Sequence, residues 1–170
     1  MPKILIVEDD ANLADIYKTR LIAEQFEVVT ATDGEQALSW AMKEKPDLII
    51  LDIMMPKISG FDVLDILRST PETKDTRVII MSALGQDTDM TKGQRLGADK
   101  YLVKSQVTLE DVVRSVREVL AKPRPTEQPP AQEPPIQQFP QPVQQPPVQP
   151  PTDQPSVEQP PTQQPPVQNL

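Results

Sequence analysis

The sequence lacks two residue types on which many catalytic and metal sites depend. It contains no cysteine, which excludes disulfide bonds and thiolate metal sites. It contains no histidine, which excludes Ser-His-Asp catalysis, histidine-ligated metals and a phosphohistidine formed on this chain. It has no basic stretch either, and because its formal net charge is −8 we expect no direct binding to nucleic acid.

Long apolar runs are also absent. The N-terminus leads into a run of only four apolar residues, 4–7, before Glu8, which is too short for a signal peptide or a membrane span. We therefore expect a cytoplasmic protein that does not contact a membrane. A glycine-rich phosphate loop is missing as well, which argues against a kinase.

Proline divides the chain into two parts. Of its 21 prolines, 17 lie in residues 123–170, a glutamine-rich region that contains no glycine. This composition cannot form a core and is typical of a disordered tail. We expect a single domain over residues 1–122 and a Pro/Gln-rich disordered tail over residues 123–170. The tail would act either as a solvated spacer or as a ligand for a proline-binding or scaffold partner.

The first part of the chain alternates between short apolar runs and segments with helical periodicity. The runs are solid rather than alternating, as in strands that are buried on both faces, and they occupy residues 4–7, 28–31, 48–51, 78–81 and 101–103. Five such (βα) units predict an α/β fold, a doubly wound parallel sheet with right-handed crossovers. The flavodoxin-like strand order 2-1-3-4-5 is the one we expect.

Three of the predicted helices have features that bear on function. The first has an apolar stripe made of Leu13, Ile16, Tyr17, Leu21 and Ile22. The last begins near Thr108, a predicted N-cap with Asp111 three residues later. The helix over residues 86–96 has few apolar residues and is weakened by Gly93, so we expect it to be the easiest to move.

Polar residues follow four of the predicted strands: Glu8, Asp9 and Asp10 after the first, Asp52 after the third, Ser82 after the fourth and Lys104 after the fifth. In the order 2-1-3-4-5 these strands are neighbours, so the polar groups would meet at the carboxyl edge of the sheet. Crowded carboxylates favour a hard cation such as Mg²⁺ or Mn²⁺. With a hydroxyl and a lysine they suit a phosphoryl group, and Asp52 could attack it.

Each of these residues also has a simpler interpretation when taken alone. The acidic residues 8–10 could be charges at a helix N-terminus. Asp52 or Ser82 could cap a helix, and Lys104 could be a solvated surface residue. Agreement among four separate strand ends favours the joint interpretation.

The order of these motifs carries a specific resemblance. The motifs are Ile6-Val7-Glu8-Asp9-Asp10, Leu51-Asp52-Ile53-Met54-Met55-Pro56 with Gly60, Met81-Ser82-Ala83 and Tyr101-Leu102-Val103-Lys104. Over residues 2–121 the chain resembles the receiver domain of two-component response regulators, as in stand-alone chemotaxis regulators. The family usually has a proline, in a cis bond, after the lysine. Ser105 stands there instead, so the sequence leaves the shape of this loop open.

The resemblance implies a role for each residue of the site. Asp52 would be the phospho-acceptor, with Ser82 supplying a hydroxyl and Lys104 pairing with the phosphoryl group. Magnesium would be held by Glu8, Asp9, Asp52 and the backbone carbonyl of Met54. Asp10 would be a neighbour of the acidic pair, and Tyr101 would act with Ser82 as the switch.

The resemblance also implies partners. A sensor histidine kinase or a phosphotransfer protein would supply the phosphoryl group. A downstream protein would be contacted through the face formed by residues 86–121 or through the tail, without an output domain, and a phosphorylation-dependent homodimer is left open. The chain would not be an enzyme beyond its autocatalysed phosphoryl transfer and hydrolysis.

Two alternatives remain. One is a phosphorylation-independent scaffold that acts through its tail. The other is a Mg²⁺-dependent phosphatase resembling the haloacid dehalogenase family, but such enzymes need a second acid where Met54 stands.

Overall fold

The parallel sheet expected from the sequence is present in the computed structural model, which describes residues 1–123. Its strands are β1 (Lys3–Val7), β2 (Glu27–Ala31), β3 (Leu48–Leu51), β4 (Arg77–Ser82) and β5 (Lys100–Val103). All neighbouring pairs are parallel, and the order is β2-β1-β3-β4-β5. The predicted fold class and strand order are confirmed.

Helices cover both faces of this sheet. They are α1 (Ala11–Ala23), α2 (Gly34–Glu44), α3 (Gly60–Ser69), α4 (Asp87–Arg95) and α5 (Leu109–Ala121). One core cluster lies between the sheet and helices α1 and α5, and a second lies between the sheet and helices α2 and α3. Strands buried on both faces explain why the apolar runs in the sequence are solid.

The strand register brings the polar residues to one edge. Val7 of β1 pairs with Leu51 of β3, so Glu8 and Asp52, the next residues, leave the sheet side by side. Ser82 ends β4 and pairs with Val103 of β5, directly before Lys104. The predicted convergence of the strand ends therefore follows from the pairing of the strands.

The apolar stripe of α1 is narrower than its sequence indicates. Ala14, Tyr17 and Leu21 are buried against the sheet. Ile16 and Ile22 lie on the predicted helix with the same spacing, but they are 49% and 50% exposed. A helix on a sheet buries one narrow line of residues, and apolar residues beside that line face solvent.

Helix α5 begins as predicted, with a reciprocal capping box. The Thr108 side chain accepts a hydrogen bond from the Asp111 N–H, and the Asp111 carboxylate accepts one from the Thr108 N–H. Four valines, Val112, Val113, Val116 and Val119, then bury the inner face of the helix. Before α5, residues Lys104–Gln106 form a short 3₁₀ turn.

Helix α4 contacts the rest of the domain through few side chains. Among the residues that the structure describes, Gly93 is the buried residue of this helix, and the N-cap position, Gln86, makes no side-chain capping bond. A Cβ on Gly93 would lie 2.7 Å from Ile80 Cδ1 and 3.0 Å from Tyr101 Cδ2. The glycine therefore permits close approach to the sheet, a role that its low helix propensity does not reveal.

The C-terminal end of α4 is fastened by an arginine from α3. Arg68 donates two hydrogen bonds to the carbonyl oxygen of Gly97, at 3.1 Å from Nε and 2.7 Å from Nη2. Its Nη1 donates to the carbonyl oxygens of Lys74 and Thr76. One guanidinium thus joins the α3–β4 loop to the α4–β5 loop, at the edge of the sheet opposite to Asp52.

No helix within residues 1–123 is long and apolar enough to cross a membrane. The predicted tail, with the functions assigned to it, lies outside the described residues, and the domain boundary at residue 122 stays a prediction.

Replacing Gly93 with alanine tests the close approach of α4 to the sheet. In an unconstrained helix this change raises the free energy of unfolding by about 1 kcal/mol. Here we expect it to fall by about 1 kcal/mol, because the new Cβ conflicts with Ile80 and Tyr101. Urea unfolding measures the difference. Thr91→Ala, on the exposed face of the same helix, should change it by less than about 0.5 kcal/mol. A stabilised Gly93→Ala protein would contradict the argument.

Candidate functional site

Asp52 stands at the centre of the site with both carboxylate oxygens engaged. It is 4% exposed, and its N–H donates to the carbonyl oxygen of Val7 at 3.0 Å, which ties it to β1. Its Oδ1 accepts a hydrogen bond of 3.0 Å from the Met54 N–H. Its Oδ2 accepts one of 2.6 Å from Lys104 Nζ.

Two further carboxylates lie beside it. Glu8 is 2% exposed, whereas Asp9, the next residue, is exposed. Carboxylate oxygens of Glu8, Asp9 and Asp52 all lie within 4.8 Å of one another. Three convergent carboxylate oxygens fit a hard divalent cation such as Mg²⁺. The Met54 carbonyl as a further ligand stays a prediction.

Lys104 is the cation that pairs with two of these acids. Its Nζ lies 2.8 Å from Glu8 Oε2 and 2.6 Å from Asp52 Oδ2. Burial by itself would lower the pKa of the Lys104 ammonium, but the hydrogen bonds to Asp52 and Glu8 outweigh it and raise the pKa above its usual value. The lysine is therefore charged at neutral pH.

For Glu8, the effect of burial on the pKa outweighs the effect of the hydrogen bond. Burial raises the pKa of its carboxyl group above the usual value, and the hydrogen bond from Lys104 opposes this change. The hydrogen bond from Lys104 therefore stabilises the ionised form of the Glu8 carboxylate.

Ser82 and Tyr101 meet at the backbone of one residue, Leu84. Ser82 is fully buried, and its Oγ accepts a hydrogen bond of 3.1 Å from the Leu84 N–H. The Tyr101 hydroxyl donates to the Leu84 carbonyl oxygen at 2.9 Å. Burial raises the pKa of the Tyr101 hydroxyl, so this group stays protonated as a donor. The two predicted switch residues are therefore joined through the loop after β4.

Asp10 has a different task from its acidic neighbours. Its side chain caps α1 by accepting hydrogen bonds from the N–H groups of Asn12 and Leu13. The simpler interpretation of the acidic cluster therefore holds for Asp10, and the other two acids form the site with Asp52.

Gly60 has a role in the site that the sequence pattern alone does not define. A Cβ on this residue would lie 2.1 Å from the carbonyl oxygen of Asp52, and the Gly60 N–H donates to the carbonyl oxygen of Ile53 at 3.1 Å. The loop after β3 therefore closes directly on the backbone of Asp52. The Ser59-Gly60 pair signals a turn, but not which atom the glycine must approach.

Comparisons with known proteins agree with this geometry. The family model of the response regulator receiver domain matches residues 4–117. The chain is 44% identical over 116 residues to a probable transcriptional regulator, ycf27, of Porphyra purpurea, a match that covers 67% of this chain and 46% of that protein. It is 43% identical over 128 residues to the transcriptional regulatory protein CpxR of Escherichia coli, which covers 75% and 53%. The chain thus spans about half the length of these curated relatives.

Solved structures show the same likeness. Chemotaxis protein CheY4 of Vibrio cholerae is similar with a TM-score of 0.66 and 29% identity, covering 70% of this chain and 98% of that one. The BeF3-activated receiver domain of RstA from Klebsiella pneumoniae has a TM-score of 0.66 and 27% identity, covering 71% and 99%.

Gly60→Ala tests how closely the loop must approach Asp52. A Cβ that conflicts with a backbone carbonyl cannot be accommodated by turning a side chain, so we expect the free energy of unfolding to fall by about 2–3 kcal/mol. Urea unfolding measures this loss. At Gly85 an added Cβ would meet only Val103 methyl groups, at 3.2 Å and beyond. Gly85→Ala should therefore cost less, and equal losses for the two variants would contradict the argument.

Proposed function

Since the chain belongs to the response regulator receiver domain family, we propose that Asp52 accepts a phosphoryl group from a histidine kinase or a phosphotransfer protein. The phosphorylated domain then signals through contacts with other proteins. The observation that carries this proposal is the pairing of Asp52 with Lys104 at 2.6 Å, beside two further carboxylates.

The transfer step uses groups that are in place. A carboxylate oxygen of Asp52 attacks the phosphorus atom, a new P–O bond forms, and the bond from phosphorus to the donor's nitrogen or oxygen breaks. Lys104, which already contacts Asp52 Oδ2, pairs with the negative oxygens of the transferred group. The Met54 N–H holds the other carboxylate oxygen and orients the nucleophile.

The acidic cluster supports a place for a metal ion in this reaction. Receiver domains bind Mg²⁺ at such a site, and we assign Glu8, Asp9 and Asp52 as its carboxylate ligands. An ion held by these residues would supply positive charge to offset that of the transferring phosphoryl group. Lys104 pairs with two of these carboxylates, those of Glu8 and Asp52.

The contacts around Leu84 support a route from the site to the surface. When Ser82 turns toward the new phosphoryl oxygens, its bond to the Leu84 N–H is lost. Leu84 is then held only by the hydrogen bond that its carbonyl oxygen accepts from the Tyr101 hydroxyl. Tyr101 packs against Gly93, so its movement reaches α4 directly.

We assign the output to the face formed by residues 86–121. Two similar proteins are described as transcriptional regulators, and the chain shares with them the part that receives the signal. The net charge of −8 of the whole chain supports output through protein contacts rather than direct contact of this chain with nucleic acid.

Phosphorylation by a small donor tests the proposal. The full chain is incubated with Mg²⁺ and acetyl phosphate, and its intact mass is recorded. We expect a gain of one phosphoryl group by the native chain and by Asp65→Asn, which removes an exposed carboxylate on α3. Asp52→Asn should gain none. If the native chain bound Mg²⁺ in calorimetry yet gained no mass, the proposal would fail and the phosphorylation-independent scaffold would be favoured.

Hydrogen exchange tests the route to α4. Beryllofluoride, which activates the similar RstA receiver domain, is added with Mg²⁺ as a stable substitute for the phosphoryl group. We expect the amide exchange rates of α4 and the β4–α4 loop to change, because few buried contacts hold this helix. Helix α2 serves as the internal reference. Unchanged exchange in α4, with beryllofluoride bound, would contradict the assignment.

A further inference from the structure

The position of Lys104 depends on a loop that lacks the proline expected from the family resemblance. Lys104 is the first residue after β5, and Ser105 follows it. The ammonium nevertheless reaches Asp52 Oδ2 at 2.6 Å and Glu8 Oε2 at 2.8 Å. Other residues must therefore fix the path of the chain between β5 and α5.

The start of this loop is fixed by the sheet. Val103, the last residue of β5, is buried and pairs with Ser82 of β4. Residues Lys104–Gln106 then form one 3₁₀ turn, in which Ser105 and Gln106 are exposed. The turn itself buries no side chain, so its shape depends on what holds its far end.

The far end is held by Val107 and by the capping box of α5. Val107 packs against the core cluster beneath α1 and α5. The Asp111 carboxylate accepts hydrogen bonds from the Thr108 N–H at 2.9 Å and from the Thr108 hydroxyl at 2.7 Å. The Thr108 hydroxyl accepts one from the Asp111 N–H at 3.2 Å. Arg114 pairs with the same carboxylate.

We propose that Thr108 and Asp111 are positioning residues that direct Lys104 toward Asp52 in place of the missing proline. The inference rests on the proposed function, because it gives a role to the loop that carries the phosphoryl-pairing lysine. With the loop fixed at Val103 and again at Thr108, the four residues between them have little freedom. Loss of the cap leaves that end held by Val107 alone, and Lys104 Nζ then samples positions away from the carboxylates.

A double-mutant cycle on the full chain tests this role. Phosphorylation rates with acetyl phosphate and saturating Mg²⁺ are measured for the native chain, Thr108→Ala, Lys104→Ala and the double variant. We expect Thr108→Ala to lower the rate about tenfold, less than the roughly 10²-fold cost of a 1 Å misplacement. In the Lys104→Ala background, Thr108→Ala should have no further effect, because it acts through the lysine.

Two controls separate positioning from a loss of stability. Thr108→Ser keeps the hydroxyl and should restore the native rate. Asp33→Ala removes the side-chain cap of α2, which accepts from the Gln36 N–H. It should destabilise the fold to a similar extent, by thermal unfolding, and leave the rate unchanged. A Thr108→Ala protein that is folded and phosphorylates at the native rate would overturn the inference, as would an equal loss in the Lys104→Ala background.

A second readout does not depend on phosphorylation. The ammonium protons of Lys104 can be observed by NMR in lysine-labelled protein. Their signal should be sharp in the native chain, because Lys104 donates hydrogen bonds to Asp52 and Glu8. That signal should broaden in Thr108→Ala and remain in Thr108→Ser and Asp33→Ala. If the native chain took up no phosphoryl group, the proposed function would fail, and this signal would still decide whether the cap positions Lys104. If Thr108→Ala left this signal unchanged, the positioning role of the cap would be refuted.

Discussion

The whole site depends on the ammonium group of Lys104, which lies within hydrogen-bonding distance of two buried carboxylates. Two nearly fully buried carboxylates leave adjacent strands side by side, an arrangement that repulsion and desolvation oppose unless a cation lies between them. Lys104 comes from a distant part of the chain, 52 residues beyond Asp52 and 96 beyond Glu8. The sheet order β2-β1-β3-β4-β5 brings these strand ends to one edge, so the site depends on the fold.

The sequence predicts much of this because each strand signals both its burial and its end. The apolar runs specify the sheet, and the polar residue after each run specifies the edge, which is how Glu8, Asp52, Ser82 and Lys104 could be grouped. The features that the sequence does not reveal depend on contacts between elements that are distant along the chain. The sequence marks Gly60 as a turn residue and Gly93 as a weak point of a helix, but it does not show that one faces the carbonyl of Asp52 and the other a tyrosine ring. The exposure of Ile16 likewise depends on how α1 is turned on the sheet.

Buried polar contacts divide the carboxyl edge into two connected groups. The first contains the three acids and Lys104. The second contains Ser82, Leu84 and Tyr101, joined by two hydrogen bonds through one backbone unit. Ser82 ends β4, beside the strand that ends before Asp52, so it lies between the groups. In the proposed switch, a change of charge in the first group acts on the second through the Ser82 hydroxyl, which bonds the Leu84 N–H.

The guanidinium of Arg68 gives α4 unequal ends. At the C-terminal end, two hydrogen bonds from Arg68 hold Gly97, and Gly97 adopts a positive φ of 88°. At the N-terminal end, Gln86 provides no side-chain cap. A helix that is held by side-chain hydrogen bonds at one end only moves most at its other end. In the proposed switch, the displacement of α4 is therefore largest beside Asp87, near the loop that carries Leu84, and smallest at Gly97. A partner that binds the first turn of this helix would therefore meet a larger change than a partner that binds its last turn.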